Sequence, residues 1–307
     1  MSIDILNELS AATGFDIGYL RAHSDHTYAF YGKASISKKT GGKRTLYIPS
    51  SELKVIQYYL LDHYLSKMEI SPYAMAYVKG KSVFQNALLH QNNTCFLHLD
   101  IQDFFNCIKE QQLTDQMKAS PIFSGWEDPE LHQTILFLMR KGHFPQGAVT
   151  SPMVSNIIFK PLDEEIAAIV QTIPNGVYTR YSDDITISSS VPIDPSVKKQ
   201  ISRLLTSNGF PINEKKTFFT TAKQTPKVTG ITIVNGHPSL SEKYRSILRC
   251  NIYRYLRGKP SLPYDVLKGR LSYLTMVDPA YFDYLKEKYR NCGSRPLYDR
   301  LFPSVLR

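Results

Sequence analysis

The stretch Tyr178-Thr179-Arg180-Tyr181-Ser182-Asp183-Asp184-Ile185-Thr186-Ile187-Ser188 constrains this chain more than any other. β-Branched and aromatic residues flank a polar centre, which predicts a tight hairpin with adjacent carboxylates at its tip. Neighbouring like charges repel, so holding two aspartates ionised on one turn is costly unless cations neutralise them. A metal site is the economical explanation, and its remaining ligand should come from a strand able to lie beside the hairpin.

Residues 94–105 offer that strand: an apolar run leads into Asp100, and the aromatic pair Phe104-Phe105 follows. Asp100, Asp183 and Asp184 together can hold two Mg²⁺ about 3.5–4 Å apart, a geometry that activates a 3′-hydroxyl and supports a departing pyrophosphate. Hard oxygen ligands with few or no His or Cys favour Mg²⁺ over zinc. Tyr-x-Asp-Asp by itself is a weak signal, and a turn with two solvated aspartates is the plain alternative. The order of its companions outweighs that alternative. Asp100 comes first, then Phe144-Pro145-Gln146-Gly147-Ala148-Val149-Thr150-Ser151-Pro152, then the acidic hairpin, then Asn213-Glu214-Lys215-Lys216-Thr217. This succession resembles the motifs of reverse transcriptases, in the family's order.

A hydrophobic content of 42% and a charged content of 21% are those of a soluble globular chain long enough to bury a substantial core. No apolar run approaches the ~20 residues of a membrane span and no basic-then-apolar segment opens the chain, so a cytoplasmic location is expected. Cys95, Cys107, Cys250 and Cys292 form no Cys-x-x-Cys pair, which argues against zinc and against a disulfide framework. The net charge of +10 is unevenly placed: residues 1–195 carry 16 Lys and Arg against 20 Asp and Glu, while residues 196–307 carry 21 against 7. A basic C-terminal third reads as a nucleic-acid-binding surface.

Tyr28–Ser37 and Arg44–Ile48 read as strands about the turn Thr40-Gly41-Gly42. A charged hairpin edge is the plain reading of Lys38 and Lys43, whereas the Arg44 guanidinium can grip phosphate through paired hydrogen bonds. Ser50 or Ser51 caps a helix to about Leu65, and Ser82 caps one that sets Asn86 and His90 four apart, by periodicity a polar helix edge. Phe144–Pro152 precedes a helix to about Ile169, and Gly147 lets a nucleotide approach because it has no side chain. Pro195–Asn208 reads as a helix ended by Gly209, Lys227–Ile233 as a strand, and Ser239-x-x-Glu242 as the capping box of a helix to about Arg257. On that helix Tyr244, Ile247, Leu248, Ile252, Tyr255 and Leu256 share one arc. Lys243, Arg245, Arg249, Arg254 and Arg257 take the other, which would track backbone phosphates. Residues 1–25 and 106–143 carry no chemistry that can be argued.

Two short motifs narrow the resemblance. Asn86-Ala87-Leu88-Leu89-His90 before Asp100, and Val228-Thr229-Gly230 after the lysine motif, match hallmarks of retron reverse transcriptases, which the chain resembles over nearly its whole length. The resemblance implies an α+β right-hand polymerase with fingers, an antiparallel-sheet palm and a helical thumb. Residues 1–95 would be N-terminal helices and fingers, 96–238 the palm with remaining fingers elements, and 239–307 the thumb. It implies a bacterial RNA-directed DNA polymerase that copies its cognate structured noncoding RNA, from a 2′-hydroxyl primer, into a branched RNA–DNA hybrid. The expected cofactors and partners are two Mg²⁺, dNTPs, that RNA and its DNA product, and an effector protein of an anti-phage defence system.

By the same resemblance, Asp100, Asp183 and Asp184 with the adjoining Ile101 hold metal, and Lys216 in preference to Lys215 protonates pyrophosphate. Arg44 and Lys43 bind the triphosphate, Gln146 and Gly147 line the nucleotide pocket, and Phe105 rejects a 2′-hydroxyl, although it could equally be core. Asn86, His90, Val228, Thr229 and Gly230 belong to the RNA-recognition motifs, joined by Arg245 and Arg249 of the basic helix. Ser182 stands where the family usually has Ala, and Val149 where Pro is common; both changes should leave polymerisation intact. The chain ends with the thumb, so removal of RNA is expected from a separate protein. A reverse transcriptase of the group II intron or diversity-generating type is the nearest alternative, opposed by the paired hallmarks. An RNA-dependent RNA polymerase is opposed by Phe105 and Tyr181. An RNA-binding scaffold with a vestigial site is opposed by the intact carboxylate trio.

Overall fold

The computed structural model describes residues 4–37 and 41–303, so Lys38 and Thr40 of the expected hairpin turn lie outside the described residues. Helices α1 (Ile5–Thr13) and α2 (Ile17–Asp25) each follow an aspartate cap: Asp4 accepts from the Leu6 and Asn7 N–H groups, Asp16 from that of Tyr19. β1 (Tyr31–Ser37) and β2 (Lys43–Pro49) pair antiparallel from Tyr31↔Pro49 to Ser37↔Lys43. The first strand starts later than Tyr28 because Thr27–Phe30 winds into a 3₁₀ turn. α3 (Ser51–His63) and α4 (Val83–Leu89) are capped by Ser50 and Ser82, as their sequences lead one to expect.

β3 (Cys95–Asp100), β4 (Val177–Tyr181), β5 (Asp184–Ser189) and β6 (Phe218–Thr220) form one sheet in the order β4-β5-β3-β6. Between β3 and β4 run α5 (Phe104–Cys107), α6 (Glu110–Ala119), α7 (Asp128–Leu136) and the long α8 (Ser151–Gln171). α8 buries Val154, Ile158, Leu162, Ile166 and Val170 along one face, which keeps it helical across Pro161. α9 (Pro195–Ser207) follows β5 and stops at Gly209, whose φ of 85° only glycine takes readily.

The expected strand over Lys227–Ile233 is instead a hairpin. β7 (Lys227–Val228) and β8 (Ile231–Val234) pair antiparallel, with Thr229 and Gly230 between them at φ 46° and 91°. Two consecutive left-handed residues make a tight two-residue turn that reverses the chain. β9 (His237–Ser239) pairs with β8 and completes a three-stranded sheet. Ser239 therefore ends a strand, and Ser241 caps α10 (Glu242–Leu256) by accepting from the Tyr244 N–H. α11 (Tyr264–Val277), α12 (Pro279–Lys288) and α13 (Arg295–Leu301) follow.

Compactness divides the chain into two interleaved units: residues 1–79, 97–187 and 193–218 form the first, and 80–96, 188–192 and 219–307 the second. In the first, the rings of Phe104, Phe159 and Phe210 meet edge to face, with Phe159 5.6 Å from Phe104 and 4.9 Å from Phe210. In the second, Leu248, Ile252, Leu271, Leu274 and Leu285 share a core with Ala87, Val228 and Ile231. Among the described residues no helix is long and apolar enough to cross a membrane.

Candidate active site

Only Ser182 and Asp183 separate β4 from β5, and Ser182 turns the chain at φ 62°, a left-handed conformation that disfavours any side chain. Asp183 stands on this turn and Asp184 heads β5. Register brings in Asp100. The Ile101 N–H donates to the Asp183 carbonyl at 3.0 Å and the Thr94 N–H to the Ser189 carbonyl at 3.2 Å, an antiparallel pairing that sets the end of β3 beside the acidic turn. On the other side of β3, the Asn213 N–H donates to the Asp100 carbonyl at 2.7 Å. The chain that continues from there carries Lys216, whose Nζ donates to Asp100 Oδ2 at 2.6 Å.

Asp100 is buried and Asp183 half-buried, whereas Asp184 keeps contact with solvent. The crowded turn still pushes the Asp184 carboxyl up to about 6, through burial first and then the charges of Asp183 and Asp100. Burial and the Asp100 charge raise Asp183 as well, while Lys216 and Arg44 draw it back, which puts the Arg44 guanidinium within electrostatic reach of the site. Its hydrogen bond to Asp100 raises Lys216, so at neutral pH this side chain is an ammonium that holds its proton while it stays on Asp100. Three mutually repelling oxygen ligands fit a hard divalent cation. Among the described residues no three acidic, His or Cys side chains are drawn together closely enough to ligate one ion as they stand. Lys216 occupies an Asp100 oxygen that an ion would need.

The expected nucleotide pocket is built onto β2. Lys43 and Arg44 begin that strand and are exposed. The Tyr47 N–H donates to the Gln146 carbonyl at 2.7 Å, and a Cβ on Gly147 would come within 2.7 Å of the Tyr47 carbonyl oxygen. The protein's own strand, together with a φ of 107°, therefore demands glycine at 147 whether or not a nucleotide approaches it. Arg140 stacks over the Tyr47 ring at 4.0 Å. Phe105 packs edge-on against Phe104 in the core and is 9% exposed.

The two hallmark motifs meet. The Asn86 Nδ2 donates to Thr229 Oγ1 at 3.4 Å, and the Thr229 hydroxyl donates to the Val83 carbonyl at 3.4 Å. His90 Nδ1 lies 2.7 Å from Ser188 Oγ, to which Asn93 also donates at 2.9 Å. Asn86 and His90 are thus buried, not a polar helix edge, because α4 packs on β7, β8 and β9 and His90 lies against Ser188 and the Phe96 ring. Val228 is buried too, Thr229 half-buried and Gly230 exposed. Nor do Arg245 and Arg249 face solvent as free phosphate ligands. Arg245 pairs with Asp278 and donates to Ser239 Oγ, while Arg249 reaches Glu242 and the Tyr281 hydroxyl, both at 2.6 Å. The exposed face of α10 carries Lys243, Ile247, Tyr253, Arg254 and Arg257, so Ile247 leaves the arc expected to pack.

Sequence reasoning passed over Arg180, a fully buried cation two residues before the acidic turn. It makes a bidentate pair with the buried Asp163 at 2.9 and 2.8 Å. A signal existed: Asp163 falls at helical spacing from Phe159 and Ile166 on the apolar face of α8, where a carboxylate needs a buried cation.

Comparison with known proteins agrees with this geometry. Residues 36–233 match the family model described as Reverse transcriptase (RNA-dependent DNA polymerase). The retron Ec73 reverse transcriptase of Escherichia coli is 32% identical over 273 residues, 84% of this chain and 86% of that protein. The retron Ec86 reverse transcriptase of the same organism is 30% identical over 316 residues, 95% of this chain and 92% of that protein. The retron Mx65 reverse transcriptase of Myxococcus xanthus is 28% identical and covers 94% of this chain and 71% of its own. Among solved structures, a telomerase from Candida albicans in complex with a fragment of telomeric RNA covers 90% of this chain and 61% of that chain, at a TM-score of 0.49 and 10% identity. That likeness is too slight to carry an argument.

Proposed function

The chain belongs to the retron branch of the reverse transcriptases and is an RNA-directed DNA polymerase of right-hand fold, and we propose that it copies its cognate structured noncoding RNA, from a 2′-hydroxyl primer, into a branched RNA–DNA hybrid. The observation that carries the reading is the register of β3 against β5, which brings Asp100 to the Asp183-Asp184 turn with Lys216 hydrogen-bonded to it.

Asp100, Asp183 and Asp184, with the Ile101 backbone, would hold two Mg²⁺, which supply activation of the primer hydroxyl and neutralisation of charge on the leaving pyrophosphate. Lys216 gives a proton to that leaving group. Arg44 and Lys43 hold the triphosphate, Gln146 and Gly147 line the pocket, and Phe105 limits room at the sugar 2′ position. RNA meets the Thr229-Gly230 turn at its exposed Gly230 and the solvent face of α10, with Asn86, His90 and Val228 supporting that turn from beneath. Arg245 and Arg249 join only by leaving Asp278 and Glu242. In this reading residues 1–95, 96–238 and 239–307 work as fingers, palm and thumb, in the bacterial cytoplasm, alongside an effector protein in anti-phage defence.

The test is expression with the DNA flanking the gene, comparing the natural chain with Asp183→Asn/Asp184→Asn and staining extracted nucleic acid for a small DNA joined to RNA. A band only with the natural chain supports the proposal. Absence of that band, with ordinary extension of a DNA primer on a supplied RNA, would return the chain to a different priming chemistry.

A further inference from the structure

The acidic turn rests on a buried polar node that no part of the reaction requires directly. Arg180 spends Nε and Nη2 on Asp163, shares Nη2 with Asn156 Oδ1 at 3.2 Å, and extends Nη1 to the carbonyl of Ser182 at 3.3 Å. Asn156 uses its other end to donate to the Ala76 carbonyl at 2.9 Å, and the Tyr178 hydroxyl donates to Asp163 at 2.5 Å. Ala76 precedes Tyr77, which like Ser182 is held at φ 62°, and the Tyr77 hydroxyl meets Ser182 Oγ at 3.4 Å. Two side-chain-bearing residues in a disfavoured conformation are therefore gripped, one on each side, by the same node.

Two of its features go beyond charge burial. Asp163 and Asn156 would already satisfy most of a buried guanidinium, so the bond to Ser182, directly before Asp183, adds a hold on the turn itself. The Phe159 ring lies 4.5 Å from the Arg180 guanidinium and also packs against Phe104, four residues after Asp100. Both arms of the carboxylate site thus lean on one residue.

We propose that Arg180, Asn156 and Asp163 are positioning residues that fix the left-handed turn at Ser182, and so aim Asp183 and Asp184 at the place where cations and nucleotide meet. The inference rests on the reading of those aspartates as the reacting centre. Lysine at 180 keeps the charge but offers its donors from a single atom, so it cannot span Asp163, Asn156 and the Ser182 carbonyl at once.

The experiment takes Arg180→Lys through four readings: melting temperature, RNA affinity, single-turnover rate, and Mn²⁺ affinity of the nucleic-acid-free protein by electron paramagnetic resonance. The expected result is a rate at least tenfold lower and Mn²⁺ binding several-fold weaker, with RNA affinity within twofold. Ser182→Gly, which takes the left-handed turn without strain, should recover part of both losses in the double variant. A lowered melting temperature with unchanged rate and Mn²⁺ affinity would overturn the proposal and leave a core ion pair. Should Arg180→Lys fail to fold, Asn156→Ala keeps the Asp163 pair and must show the same two losses, or the proposal falls. Asp183→Asn runs alongside: if it keeps its rate, the reading of the site fails instead.

Discussion

At the scale of single residues, the chemistry is set by how much negative charge the β4–β5 turn must hold. The Asp184 carboxyl ionises near 3.8 when unfolded and near 6 in the folded site. A folded value above the unfolded one means that the native state binds the extra proton, so the metal-free protein loses stability as pH rises through that window. Melts in EDTA should therefore fall from about pH 4 to about pH 6 more steeply for the natural chain than for Asp184→Asn, and added Mg²⁺ at pH 7 should restore only the natural chain. Equal slopes for the two proteins would show that the carboxylates do not strain the site. The residues behind this were largely legible: paired acids, an incoming strand and a lysine motif can be read because metal chemistry restricts which residue types serve. Gly147 was legible as a glycine but for another reason, since what approaches it is Tyr47. Arg180 was not, because a strand conceals which of its alternating residues meets a charge on the helix before it.

Helix and strand limits were legible where caps are explicit, as at Ser50 and Ser82. They failed where a conformation has no residue signature. Thr229 is β-branched at positive φ, so Thr-Gly did not announce the turn between β7 and β8. Its company explains it: Asn86 and the Val83 carbonyl hold its hydroxyl. α4 is thereby fastened at one end to that hairpin and at the other, through His90, to Ser188 on β5. The element acts as a brace, and Ser188→Ala should show it. Deleting the hydroxyl shared by His90 and Asn93 should cost about 1–3 kcal/mol in urea unfolding, with RNA affinity unchanged under folding conditions. A loss of RNA affinity at intact stability would instead make the His90 motif a direct contact.

Across the whole molecule, charge follows the compact units. The second unit carries 17 Lys and Arg against 6 Asp and Glu, while the first carries 20 against 21. A basic C-terminal third was legible as a sum, but which cations are available to phosphate was not, because helical spacing cannot see partners on the next helix. Arg245, Arg249, Arg290 and Arg295 are tied to acids of their own unit. Lys243, Arg254 and Arg257 stand on the solvent face of α10. Each cation that neutralises a phosphate releases counterions, so removing three should lower the slope of log affinity against log salt by about 2–3. Lys243→Gln/Arg254→Gln/Arg257→Gln should weaken RNA binding and flatten its salt dependence by that amount, with little change in melting temperature. Arg245→Gln/Arg249→Gln should do the reverse, lowering the melting temperature while keeping the slope, because those side chains hold α10 to Asp278 and Tyr281. If the second pair flattens the slope and the first trio does not, the ion pairs open on RNA and the nucleic-acid face of α10 is the one that packs in the free protein.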